Sequence, residues 1–136
     1  MKKLFYIFIL LFIVGWVQAQ QRVVYTINDG WKFTKGSPFE AQLTGCDDSS
    51  WETVNIPHTW NDKDADDETP GFYRGPVWYR KQLFIDKSQE GRQAVIYFEG
   101  ANQEVRFYLN GQFVGEHKGG YTRFCFDITS HLRYGQ

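Results

Sequence analysis

The groups able to do chemistry in this chain are carboxylates, three histidines and two cysteines. Asp62, Asp64 and Asp66 alternate within "NDKDADDETPG" (61–71), as the first ligands of a calcium loop do. Counted from Asp62, such a loop needs Gly at its sixth position and Glu at its twelfth, where this chain has Asp67 and Tyr73. The run is therefore expected to be a solvated loop at one end of the fold, with no metal or cofactor. Glycosidic acid–base chemistry needs two carboxyls about 5 to 9.5 Å apart across a sugar. Glu99 and Glu104 bracket a turn and Asp127 ends a strand-like run, and none stands in a catalytic context. His58, His117 and His131 accompany no G-x-S-x-G nucleophile signature. His58, in "IPHTW", is expected to satisfy loop backbone through its ring nitrogens. Cys46 lies in a loop and Cys125 in a strand-like run; whether they pair is open, and their spacing is not that of a metal site.

The composition narrows the class. Lys and Arg number 15 against 16 Asp and Glu, so no concentrated basic surface is available to hold nucleic acid. Aromatic residues make up 18% of the chain, which suits a β-rich core and supplies rings on which sugars can stack. Lys2 and Lys3 precede an apolar run from Leu4 to Val17, and Val17-Gln18-Ala19 offers a cleavage point. This is the pattern of a signal peptide over 1–19. The apolar run is shorter than the roughly 20 residues of a membrane span. The expectation is export to the periplasm or the cell exterior, with no stable membrane anchor and one domain over 20–136.

The chain carries strand signals bounded by Gly, Pro, Asn and Asp, and no sustained helical period. "RVVYTI" (22–27), "WKFT" (31–34) and "WETVNI" (51–56) read as strands, the last stopped by Pro57. "VWYRKQLFI" (77–85) has apolar residues of both parities, as a strand covered on both sides would. In "QAVIYF" (93–98), Ala94, Ile96 and Phe98 share one parity and Val95 and Tyr97 the other. Val105, Phe107 and Leu109 share a face opposite Glu104, Arg106 and Tyr108. Asn110-Gly111 then supplies the positive φ angles of a two-residue hairpin, with 112–117 returning antiparallel. In 121–128, Phe124, Phe126 and Ile128 face one way. Seven or eight short strands predict an all-β, antiparallel sandwich.

Four ordered blocks resemble the N-terminal domain of glycoside hydrolase family 2, the group of β-galactosidases, β-glucuronidases and β-mannosidases. They are "INDGWKF" (27–33), "DDSSWETVNIPHTWN" (47–61), "YRGPVWYRKQLFI" (73–85) and "FEGANQEVRFYLNGQFVGEHKGGYTRFCFDIT" (98–129). The resemblance covers nearly all of 20–136 and implies a jelly-roll β-sandwich of the galactose-binding-like kind. In that family the two catalytic glutamates of a retaining mechanism lie in a later (β/α)₈ barrel. No residue here matches them, so the resemblance implies no catalytic residue in this chain. It also implies that the sequence stops before the sandwich's last strand, which gives the expectations of a truncated domain and marginal stability alone.

The resemblance implies a carbohydrate partner, a β-glycoside bound mainly by the barrel, and loops of this domain that reach the pocket entrance. Arg74 is the candidate for hydrogen bonds to sugar hydroxyls or an acidic sugar, and Trp60 or Trp78 for stacking on a pyranose ring. Each has a plainer alternative: the two tryptophans as core, and Arg74 paired with the acidic loop. A free-standing carbohydrate-binding module is the alternative function, and homo-oligomeric contacts in the full-length protein are a further expectation.

Overall fold

Phe33 and Val54, from two alternating stretches of the sequence, face inward at 5% and 8% exposure, and the strands that carry them pair edge to edge. This computed structural model describes residues 21–61 and 72–136; the expected signal peptide and the run 62–71, with its calcium-like aspartates, lie outside the described residues. The described strands are β1 (Trp31–Lys35), β2 (Glu52–Val54), β3 (Val77–Arg80), β4 (Val95–Phe98), β5 (Glu104–Leu109), β6 (Gln112–Lys118) and β7 (Phe124–Asp127). All pairing is antiparallel, in the orders β2-β1-β3, β4-β7 and β5-β6. Single 3-10 turns follow β3 at Lys87–Gln89 and β7 at Thr129–His131, and the described residues contain no α-helix.

In the first sheet, Phe33 lies opposite Tyr79 and Thr34 opposite Trp78. Tyr79 therefore joins the buried side, its ring centroid 5.0 Å from that of Phe33. Trp78 points to the other side, where its ring meets Tyr108 of β5 at 5.9 Å. All four positions of β3 are half-buried, which explains why apolar residues of both parities occur there. Ala41 and Trp51, at 1% and 8% exposure, complete the enclosed core.

The second part of the fold follows the sequence parity closely. Ile96 and Phe98 face inward while Val95 and Tyr97 are about half exposed, at 51% and 55%. Phe124 and Phe126 lie opposite Phe98 and Ile96 on β7. Asn110 and Gly111 sit at φ 52° and 82°, the left-handed pair that closes the β5–β6 hairpin with a twist matching its strands. Asn110 Nδ2 also donates to the His131 carbonyl at 2.7 Å, tying the turn to the segment after β7. Phe107 pairs with Gly115 but Tyr108 pairs with Phe113. Val114 is the extra residue of a bulge, which turns the hairpin's second half.

Three expectations shift. Residues 22–27 form no strand, and Val23, Val24 and Tyr25 are 49%, 73% and 70% exposed. Strand-forming residues alone do not make a strand without a ladder partner, and the anchors lie at the segment's end. There Trp31 Nε1 donates to the Ile27 carbonyl at 2.6 Å and Ile56 N–H to the Asn28 carbonyl at 2.8 Å. The strand expected over 51–56 is confined to Glu52–Val54, because the Asn55 side-chain oxygen turns away to accept from Gly30 N–H at 2.9 Å. The strand expected to run to Ile85 ends at Arg80, beyond which Lys81 Nζ reaches the Asp29 carbonyl and Leu83 and Phe84 are exposed.

Candidate functional site

The entry to β3 carries the sequence-predicted Arg74, and its backbone is held at several points. The Tyr73 hydroxyl donates to the Pro76 carbonyl at 2.8 Å and accepts from Gly36 N–H at 2.9 Å. Gly36 N–H also reaches the Pro76 carbonyl at 2.8 Å, so the end of β1 and the approach to β3 share one knot. Trp60 Nε1 donates to the Tyr73 carbonyl at 3.4 Å. Trp60 and Arg74, 14 positions apart in sequence, are thereby brought to one corner. Trp60 is half-buried and Arg74 exposed. Arg74 makes no hydrogen bond or ion pair with any described residue, and its expected alternative partner, the acidic run, lies outside them. Trp78 is not part of this corner's bonding, since its ring is taken up by Tyr108.

The other polar groups have structural occupations. Arg80 Nε meets Asp48 at 3.1 Å, and its NH1 donates to the carbonyls of Ala41 and Leu43, each at 2.7 Å. Its guanidinium carbon also lies 5.8 Å from the Trp51 ring centre. One side chain thus fastens the 41–48 loop to β3. Sequence reasoning missed this hub, although Asp48 and Arg80 both lie in blocks it singled out; nothing in their spacing shows that they meet. It also missed Tyr73, whose only signal is a tyrosine set before "RGP" at a strand entrance.

His58 differs from expectation. Its Nδ1 lies 2.8 Å from the Tyr79 hydroxyl, and its ring stands edge-on to Phe33 at 4.7 Å, so it serves a side-chain cluster instead of loop backbone. Burial pushes the Tyr79 phenol up to about 12, because the charged phenolate is disfavoured away from water. His117 is stacked on Phe124 at 4.0 Å and bonds Thr122, and His131 lies beside Ser130. The three histidines therefore share no site. Cys46 and Cys125 are both free, and no group of His, Cys, Asp and Glu among the described residues is placed to hold a metal.

Among the described residues, the carboxylates with defined partners serve turns and ion pairs. Glu104 pairs with Lys118 and Arg106, each at 3.7 Å. Asp127 is held down to about 2 by the Thr129 hydroxyl first, then by Gln93 and the Thr129 N–H. Asp47 is lowered by the Ser49 N–H and hydroxyl, and Asp86 by the Ser88 hydroxyl and N–H. A glycosidic general acid needs the opposite shift, upward toward neutrality. These are turn-capping anions.

The profile of the glycosyl hydrolases family 2 sugar binding domain matches residues 16–136. A β-glucuronidase of Formosa agariphila is 38% identical over 128 residues, covering 88% of this chain and 13% of that protein. A β-galactosidase of Thermoanaerobacter pseudethanolicus is 38% identical over 114 residues, covering 84% of this chain and 15% of that protein. The crystal structure of a Bacteroides uniformis β-glucuronidase superposes with a TM-score of 0.79 at 40% identity, over 85% of this chain and 14% of that one. The chain thus spans about one seventh of the length of such relatives, and the jelly-roll sandwich expected from the sequence is the fold it shares with them.

Proposed function

The chain belongs to glycoside hydrolase family 2, as a sugar-binding domain of that family, and from this premise we propose that it is the non-catalytic N-terminal domain of an exported, exo-acting, retaining β-glycosidase. Its part is to brace the catalytic portion of the protein and to shape the pocket rim with the Trp60–Arg74 corner. The observation that carries this reading is an exposed Arg74 on a backbone tied down by Tyr73, beside a tryptophan, with the perturbed carboxylates among the described residues lowered. A guanidinium presents a planar donor fork suited to a sugar carboxylate. With β-glucuronidases among the similar proteins, a β-glucuronide is the favoured substrate and a β-galactoside the second.

The test is to express the complete reading frame that contains this domain, with its native leader, and to assay p-nitrophenyl β-D-glucuronide and β-D-galactoside. The expected result is an exported enzyme that releases sugar with retained anomeric configuration. An inactive product, or one that inverts, contradicts the proposal.

The free-standing module remains the second reading, favoured by one feature: Tyr121 is 99% exposed, as a sugar-stacking platform would be. Saturable binding of galactose, mannose or glucuronate by the chain, with no associated hydrolase in its reading frame, would favour that reading.

A further inference from the structure

We infer that Tyr73 is a positioning residue, whose hydroxyl fixes the turn 73–76 so that Arg74 is presented to the carboxylate of an acidic sugar. The inference rests on the rim reading above and adds to it the residue that makes the rim rigid. An arginine on a free loop loses much of its binding energy in ordering itself, whereas one whose backbone is already fixed loses only side-chain freedom. Tyr73 and Gly75, the neighbours of Arg74, are both constrained. The Tyr73 ring turns back along its own chain, so that its hydroxyl meets Pro76 at 2.8 Å and Gly36 at 2.9 Å. That path crosses the space a side chain at residue 75 would fill: a Cβ there would lie 2.2 Å from the Tyr73 hydroxyl. Glycine at 75 is therefore what lets the ring close the knot.

The same residue is held from above and behind. Lys35 Nζ stands 5.3 Å from the ring centre, a cation over an aromatic face, and the Tyr73 carbonyl accepts from Trp60. Side chain, ring face and carbonyl are thus all engaged, while the adjacent Arg74 projects into solvent. The chemistry that fits is a single carboxylate carried on a polar ring, met by the Arg74 fork and flanked by the Trp60 indole.

The experiment is a double-mutant cycle in the complete enzyme, read as KM and kcat on p-nitrophenyl β-D-glucuronide. Arg74→Ala is expected to raise KM about tenfold, the value of one charge-assisted hydrogen bond, with kcat within about twofold. Tyr73→Phe keeps the ring and removes only the hydroxyl; it is expected to raise KM about threefold, again mainly in KM. The double variant is expected to match Arg74→Ala alone, because Tyr73 acts through Arg74. Gly75→Ala, which displaces the Tyr73 ring while leaving its hydroxyl chemistry intact, should repeat the Tyr73→Phe result. If Arg74→Ala leaves KM unchanged, the rim reading falls and the positioning role with it. If Arg74→Ala raises KM but the Tyr73→Phe effect is absent or simply adds, the positioning role alone is overturned.

Discussion

Around β1–β3, Phe33, Ala41, Trp51 and Val54 are shut away from water at 1–8% exposure, and Arg80 binds the surrounding loop by charge and hydrogen bonds. Across β4–β7 and β5–β6 the core is instead a run of phenylalanines, and each remains half-buried. Phe107 and Phe126 are stacked at 5.5 Å, Phe98 and Phe124 at 4.8 Å, and His117 lies flat on Phe124. The difference shows two ways of holding a small all-β domain. The first region encloses few residues completely and relies on a polar hub to fix their arrangement. The second gains from many ring contacts, each weaker because water still reaches its edge. The Trp60–Arg74 corner grows out of the first region, whose fixed backbone suits it to present a side chain.

The largest expected effect would break this comparison outright if absent. Phe33→Ala should cost about 3–4 kcal/mol, near the full cost of emptying a closed aromatic site, and Phe107→Ala only about 2 kcal/mol. Urea denaturation of both variants measures this, and equal losses would erase the distinction between the regions. Next, Arg80→Ala leaves the Ala41 and Leu43 carbonyls and Asp48 without their partner, at an expected cost of about 2–3 kcal/mol. Arg80→Lys should recover less than half of it, because an ammonium cannot serve three acceptors in the fork geometry.

The smallest effects sharpen the comparison by pH. Tyr79 has its phenol raised from 10.0 to about 12 by burial, so its contribution is complete below pH 10 and is lost as pH rises toward 12. That loss, on the order of 1 kcal/mol once solvent access is allowed for, belongs to the first region and should vanish in Tyr79→Phe. Asp127 is lowered from 3.8 to about 2 by Thr129 and Gln93, so its contribution is complete above pH 3.8 and is lost as pH falls toward 2. Amide exchange should show alkali loosening β1–β3 first and acid loosening the β4–β7 end first.

How much of this was legible in the sequence varied with the range of the interaction. The β5–β6 hairpin was readable because Asn110-Gly111 fixes its turn locally, and the facing of Phe98, Phe124 and Phe126 was readable because strand parity is local too. Strand ends were not, since they depend on partners: 22–27 has strand-forming residues but finds no ladder, and β3 stops where Arg80 turns its side chain to residues 32 and more positions away. At the candidate site, Arg74 and Trp60 were visible as residue types suited to a sugar. Their convergence on Tyr73 was not, because it runs through a backbone carbonyl and a hydroxyl shared with Gly36, contacts that leave no periodic trace.

The role proposed for this domain is to support a hydrolase without performing the hydrolysis. The direct measurement is an assay of the 136-residue chain alone, its β-type circular dichroism and cooperative melt recorded first, on p-nitrophenyl β-D-glucuronide and β-D-galactoside. The predicted result is a marginally stable β-type protein whose folded fraction releases no nitrophenol above buffer. Turnover that co-purifies with the folded chain would contradict it.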